Sequence, residues 1–183
     1  SRLVGDHPRL VFEAHSTDYQ TRAALQALVE DHWAILKVGP GVTFAMREAL
    51  FALAAIEEQL LETGSSRLAQ VVDSRMVAEP RWWRGYYEGD ELELELARRY
   101  SFSDRVRYYW PDPDISAAVD RLMANLAGRP VPLPMLSAYL PLQYERVRAG
   151  ALAADARSLV VDRVRDVLRD YAAACSGPAS SHA

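Results

Sequence analysis

Only two stretches of this 183-residue chain read as buried β-strand, and each leads into a helix. Residues 9–14 (RLVFEA) and 34–38 (AILKV) are short, apolar and rich in β-formers. The loop HSTDYQT follows the first, then a helix over 21–31 with Leu25, Leu28 and Val29 on one face. Gly39-Pro40-Gly41 breaks the second strand. Thr43 is the expected cap of a helix over 44–62, striped by Met46, Leu50, Leu53 and Leu60. Strands buried on both faces, each followed by a helix, indicate parallel α/β architecture.

From residue 66 to 175 no further strand is expected. Ser66 is read as opening a helix that carries Leu68, Val71, Val72 and Met76 and ends at Pro80. ELELEL (91–96) alternates like a strand, but Glu and Leu are good helix formers, and Arg98 and Arg99 suit a helix C-terminus. Asp114 is the expected cap of a helix through Ile115, Val119, Leu122 and Leu126, closed by Gly128 and Pro130. Three prolines limit VPLPMLSAYLPLQY to short helical turns. A last helix spans 154–175, with Val160, Val164, Val167 and Tyr171 on one side. Pairs Asp162–Arg165 and Asp166–Arg169 are expected on the other. The tail, 176–183, is expected to be disordered.

Two β/α units do not make a sheet that stands alone, and a complete (β/α)8 barrel takes roughly 250 residues. The chain also lacks an initiator methionine. It therefore reads as the C-terminal fragment of a longer polypeptide, with residues 1–65 holding the β/α units and 66–175 a helical extension. A net charge of −4 argues against nucleic-acid or membrane-surface binding. The longest apolar run, 49–56, is far short of the ~20 residues a bilayer demands. Cys175 is the only cysteine, so internal disulfides and thiolate zinc clusters are excluded. With no secretory signal visible, a cytoplasmic protein is expected.

Of the 21 basic side chains, 20 are arginine; Lys37 is the only lysine, and it sits inside an apolar strand. Lysine is a compact charge whose pKa can be moved, whereas arginine is a rigid fork. Ligands of parallel α/β folds bind at the C-terminal ends of strands. Glu13, His15, Asp18 and Lys37 all fall there and form the candidate catalytic set. A carboxylate, an imidazole and an ammonium at one mouth suit polyol binding, proton transfer beside a carbonyl, or divalent-metal ligation by His15 and Glu13. Simpler readings stand beside these: Lys37 snorkelling, a Glu13–Lys37 ion pair, a structural His15, Asp18 as a helix cap. Gly39 and Gly41 precede a helix, as in a phosphate-binding nest, although Pro40 removes one donor. Arg105 and Arg107, within RYSFSDRVRYYWP, are candidates to carry charge to an anionic group; the alternative is a packing motif in which Asp104 holds an arginine. Trp82, Trp83, Tyr86 and Tyr87 suit packing or a protein interface. His7 and His32 carry no partner signature.

The strings FEAHSTDYQT, ILKVGP, REALFALAAIEE, SDRVRYYWP, YLPLQY and YAAAC occur in that order from 12 to 175. In them the chain resembles the GatZ/KbaZ family, the non-catalytic subunit of D-tagatose-1,6-bisphosphate aldolase. The resemblance implies the last two β/α units of a bacterial (β/α)8 TIM barrel and a helical C-terminal extension. It implies support of a separate catalytic class II aldolase subunit, which carries the zinc, in galactitol or N-acetylgalactosamine catabolism. It also implies a small sugar or sugar phosphate as ligand and allows a homo-oligomer. Some family members are described as tagatose/fructose 4-epimerases, and the alternative reading is a metal-dependent 4-epimerase of that kind acting on the ketohexose or its phosphate. Others are labelled tagatose-6-phosphate kinases, a disfavoured third, since no nucleotide-binding motif occurs in this chain. Ala138 departs from the family's SQYLP pattern.

Overall fold

A computed structural model describes residues 10–176 of the chain. Arg9 and His7, together with positions 177–183 of the expected tail, lie outside the described residues. The chain is a mostly helical α/β protein with one two-stranded parallel sheet. It divides into two compact units. Within the described residues, one comprises 10–42 and 165–176; the other runs from 43 to 164.

The first unit holds β1 (Phe12–Ala14), α1 (Arg22–Glu30) and β2 (Trp33–Leu36). Thr21 caps α1 by accepting from the Ala24 amide at 3.2 Å, and Leu25 is the fully buried contact of its apolar face. The strands pair Phe12 with Trp33, Glu13 with Ile35 and Ala14 with Leu36, and Ala34 is the extra residue of a bulge. Glu13 and Ile35 thus sit side by side, and the pleat returns Lys37 to the face of Ile35. That face is open: Ile35 is 42% exposed. Phe12 and Trp33 pack at the start of the pair, ring centroids 5.3 Å apart.

Two long helices contribute to both units: α2 (Gly41–Leu60) and α8 (Ala156–Cys175). The second unit adds α3 (Leu68–Ala78), α4 (Glu91–Tyr100), α5 (Pro113–Asn125), α6 (Leu133–Tyr139) and α7 (Pro141–Arg148). Its core includes Leu53, Ile56, Leu68, Val72, Met76, Val106, Ile115, Leu122, Leu136 and Leu159. ELELEL is helical as expected. Asp90 and Glu93 form a reciprocal capping box, which resolves the ambiguity of an alternating pattern in favour of helix.

Several helix starts differ from expectation. Helix α2 begins at Gly41, so Thr43 lies inside it. Helix α5 is capped by Asp112 rather than Asp114, because Pro113 occupies the first helical position with its φ preset. Ser66 does not cap α3; its amide and hydroxyl both donate to Glu57. The residue at the cap position is Arg67, with φ 51° and ψ 36°. Asp166 pairs with Arg169 at 2.8 Å, while Asp162 accepts from Gln143 and Arg146.

Buried charge fastens the helical unit. Arg47 and Asp104 are both about 2% exposed and pair at 3.0 Å. Arg47 also donates to the Arg99 carbonyl and lies 4.5 Å over the Phe44 ring. Burial pushes the Asp104 carboxyl up, against the downward pull of the Arg47 charge. The two partners are therefore not equivalent. Asp104 can take a proton if it loses Arg47, but a guanidinium cannot be neutralised. Asp104→Ala is expected to lose about 3–5 kcal/mol of unfolding free energy by urea titration, and Arg47→Met measurably less. Equal losses would contradict this asymmetry.

Candidate active site

The sequence places Glu13 near the end of β1 and Lys37 just past the end of β2. Parallel pairing brings the two together on one face. The Lys37 amide donates to the Ala14 carbonyl at 2.8 Å, which fixes where its side chain leaves the strand. The Lys37 ammonium then meets Glu13 Oε1 at 2.5 Å. His15 Nε2 approaches the same oxygen. All three side chains reach solvent: Lys37 is half exposed, and His15 more so. The hydrogen bond from Lys37, aided by His15 and opposed by partial desolvation, holds the Glu13 carboxyl below its ordinary value.

Behind this trio the loop is locked down. Thr17 is buried; its amide and hydroxyl both donate to the Lys37 carbonyl, at 3.2 and 3.0 Å. Its hydroxyl also lies 2.8 Å from the Tyr171 hydroxyl of α8. Ser16 and Tyr19 adopt positive φ, 52° and 62°, a backbone region unusual for non-glycine residues. Such strain persists only where surrounding contacts over-determine it.

Asp18 is held apart from the trio's shared oxygen, at the turn after β2. Its carboxylate accepts from the Gly39 amide at 2.8 and 2.9 Å and from the Gly41 amide at 2.7 Å. The glycine nest therefore already contains an anion, supplied by the chain itself. Asp18 acts as a remote cap for α2, whose N-terminus favours negative charge. The two glycines are required by this close approach. A Cβ on Gly39 would lie 2.7 Å from Asp18 Oδ2, and one on Gly41 2.8 Å from Oδ1.

A cleft of about 500 Å³ opens beside Glu13 and His15 and is lined also by Thr17, Gln20, Leu28 and Trp33, whereas Lys37 is not among the residues that line it. That is within the usual range for a small-molecule site. Among the described residues no group of three or more His, Cys, Asp or Glu could hold a metal ion. His15 and Glu13 offer two donors at most, and the Lys37 ammonium on Glu13 Oε1 opposes a cation there. Among the described residues, His15 and Glu13 do not by themselves complete a metal centre.

Arg105 and Arg107 belong to the helical unit, in the turn Arg105–Tyr108. Arg105 lies over the Tyr86 ring at 3.2 Å. Arg107 donates to the Tyr108 hydroxyl at 2.8 Å, which, ahead of smaller charge effects, holds that phenol below its ordinary pKa. Tyr108 stacks on Trp82, centroids 5.1 Å apart. The two arginines are thus engaged with an exposed aromatic row, Trp82, Tyr86 and Tyr108, while Trp83, Tyr87 and Tyr109 are buried. Asp104 does hold an arginine, though it is the distant Arg47. That partner, and the Thr17–Tyr171 contact, left no local signal, since each joins residues far apart in sequence.

A parallel strand pair followed by packed helices defines a mostly helical α/β protein. A solved structure shares this arrangement: "a probable tagatose 6 phosphate kinase from Sinorhizobium meliloti 1021" is 49% identical, with a TM-score of 0.92. The match covers 95% of this chain but 45% of that one, so the chain spans less than half the length of that protein. Residues 1–176 match the model of the D-tagatose-1,6-bisphosphate aldolase subunit GatZ/KbaZ-like family. The chain belongs to that family.

Two measurements check the site. The folded Glu13 pKa is depressed, so the Glu13–Lys37 link contributes stability above the ordinary carboxylate range. That contribution is lost as pH falls through the lowered value. Lys37→Met should move the Glu13 carboxyl titration, followed by carbon NMR, back up toward the ordinary value; an unmoved titration would show that the pair does not persist in solution. Asp18→Ala should cost about 0.5–2 kcal/mol in urea unfolding through loss of the α2 cap. No loss would mean the amides find water equally well.

Proposed function

We propose that the Glu13–Lys37–His15 face is the sugar-facing mouth of a (β/α)8 barrel, of which β1 and β2 are the last two staves. In this reading 1–65 belongs to the barrel and 66–175 to a helical extension. The protein serves as the accessory subunit of a class II tagatose-1,6-bisphosphate aldolase in the cytoplasm. It takes a small sugar or sugar phosphate at the mouth and works beside a catalytic subunit that carries the zinc. Family membership supports the aldolase-related role. The observation that carries the mouth is the convergence of Lys37 and His15 on one oxygen of Glu13 at the strand ends. A face bearing three ionisable groups beside half-exposed Ile35 is poorly suited to packing against hydrocarbon and well suited to a hydrated ligand. The exposed row of Trp82, Tyr86 and Tyr108, flanked by Arg105 and Arg107, supports a protein contact, since aromatics and arginine are enriched in interfaces.

The same trio favours one second reading, a ketohexose 4-epimerase acting between tagatose and fructose, free or phosphorylated. A carboxylate and an imidazole in contact can pass a proton, and an ammonium can stabilise charge on a neighbouring carbonyl oxygen. The kinase activity in the name of the solved relative gains nothing from the glycine turn, whose amides are taken by Asp18.

The test is to incubate the full-length protein, without any aldolase subunit, with tagatose, fructose and their phosphates. No turnover alone, with aldolase activity raised when the catalytic subunit is added, is the expected result. Interconversion without a partner would replace the accessory role by the epimerase. In either case Lys37→Met should abolish the response while the melting temperature stays nearly unchanged. Retained function in that variant would remove Lys37 from the site.

A further inference from the structure

A second cleft, of about 530 Å³, lies on the helical unit along α3 and α5. Its lining includes Arg67, Val71, Arg75, Ala117, Ala118 and Arg121. The register of the two helices decides which charges meet. At one end Arg75 pairs with Asp112 at 2.9 Å and Asp114 at 3.5 Å, joining the end of α3 to the start of α5. At the other, the Asn125 side chain donates to Glu57, the same carboxylate that accepts from Ser66. The helices therefore run antiparallel. Arg121 lies one turn before Asn125, and Arg67 directly follows Ser66, so both residues belong to the same end of the cleft.

Neither of these arginines has an acidic partner among the described residues, a state shared by Arg84, Arg157 and Arg165, but Arg67 and Arg121 line the same cleft, whereas its third arginine, Arg75, holds carboxylates. The acid in the cleft, Asp114, stands at the far end and is answered by Arg75. Arg67 also occupies left-handed backbone, φ 51° and ψ 36°, where glycine would be at ease. A strained non-glycine residue is retained where its side chain has use. The floor between the helices is made of small apolar side chains, Val71, Ala117 and Ala118, which leave room above them.

We infer that Arg67 and Arg121 form an anion site for a small phosphate monoester, its phosphate held by the two guanidinium forks and its carbon body over the alanine floor. Arginine forks match phosphate geometry, and two of them, contributed by separate helices, suit a dianion. The Ser74 hydroxyl, further along α3 on the cleft wall, is a donor for the body of the ligand. This site lies within the helical unit and stands independently of the reading of the Lys37 mouth.

The test is calorimetric titration of the full chain with glycerol 3-phosphate, repeated on Arg67→Gly, Arg121→Gln and, as a control, Arg148→Gln, an exposed arginine outside the cleft. Binding at millimolar concentration or tighter is expected, weakened about tenfold in the Arg67 and Arg121 variants and unchanged in Arg148→Gln. Arg67→Gly should keep or raise the melting temperature, since glycine relieves the left-handed backbone, so a loss of binding there cannot be blamed on unfolding. Absence of binding, equal affinity in the Arg67 and Arg121 variants and the parent, or an equal loss in Arg148→Gln would each overturn the site.

Discussion

One oxygen atom organises the candidate site. Glu13 Oε1 takes the Lys37 ammonium and the His15 imidazole together, and the parallel ladder sets that meeting. In a parallel pair the side chains of neighbouring strands advance in step. Glu13 opposite Ile35 therefore puts Lys37, two residues further, beside the carboxylate and on the same face. A register slip of one residue would send Lys37 to the other face of the sheet. The bulge at Ala34 is part of this arrangement, because it lets Phe12 meet Trp33 while Glu13 meets Ile35.

The loop after β1 turns a strand end into a fixed rim. Thr17 closes on the Lys37 carbonyl, Tyr171 closes on Thr17, and Asp18 fills the glycine turn. An anion nest that already holds the chain's own carboxylate serves the fold, anchoring the loop to the start of α2. In the function we propose, the ligand chemistry then rests with the side chains that remain in solvent, Glu13, His15 and Lys37. The glycines contribute by letting Asp18 come close, which a Cβ at either position would prevent.

Much of this was legible in the sequence, for physical reasons that differ by element. The two strands were legible because apolar β-formers bounded by turn residues have few other uses, and the single lysine stood out against twenty arginines. The meeting of Glu13 with Lys37 followed from strand geometry. The start of α2 was not legible, since its cap, Asp18, lies 23 residues before Gly41. Nor was the role of the buried arginines. Arg47 and Arg98 look like any solvated charge in sequence, and only the fold brings Asp104 and Asp73 to them. Arg105 and Arg107 were singled out for their charge, but the neighbouring aromatic rings claim them first. No helix among the described residues is long and apolar enough to cross a membrane, in keeping with the short apolar runs.

The helical unit illustrates how a chain so rich in arginine keeps its charges specific. Buried Arg47 and Arg98 are each given a carboxylate, Arg105 and Arg107 are laid on rings, and Arg67 and Arg121 line one cleft with neither. Lys37, just past the end of β2, is paired with Glu13. Lys37 is the only lysine in these 183 residues; reductive methylation with carbon-13 labels it together with the N-terminal amine and any lysine elsewhere in the full-length protein, and its resonance is assigned by its loss in a methionine variant. Titration of the labelled full-length protein with tagatose 6-phosphate should shift that resonance saturably, and free tagatose should shift it in the same direction. A resonance that stays in place at saturating sugar phosphate would contradict the claim that the Glu13–Lys37–His15 face receives the ligand.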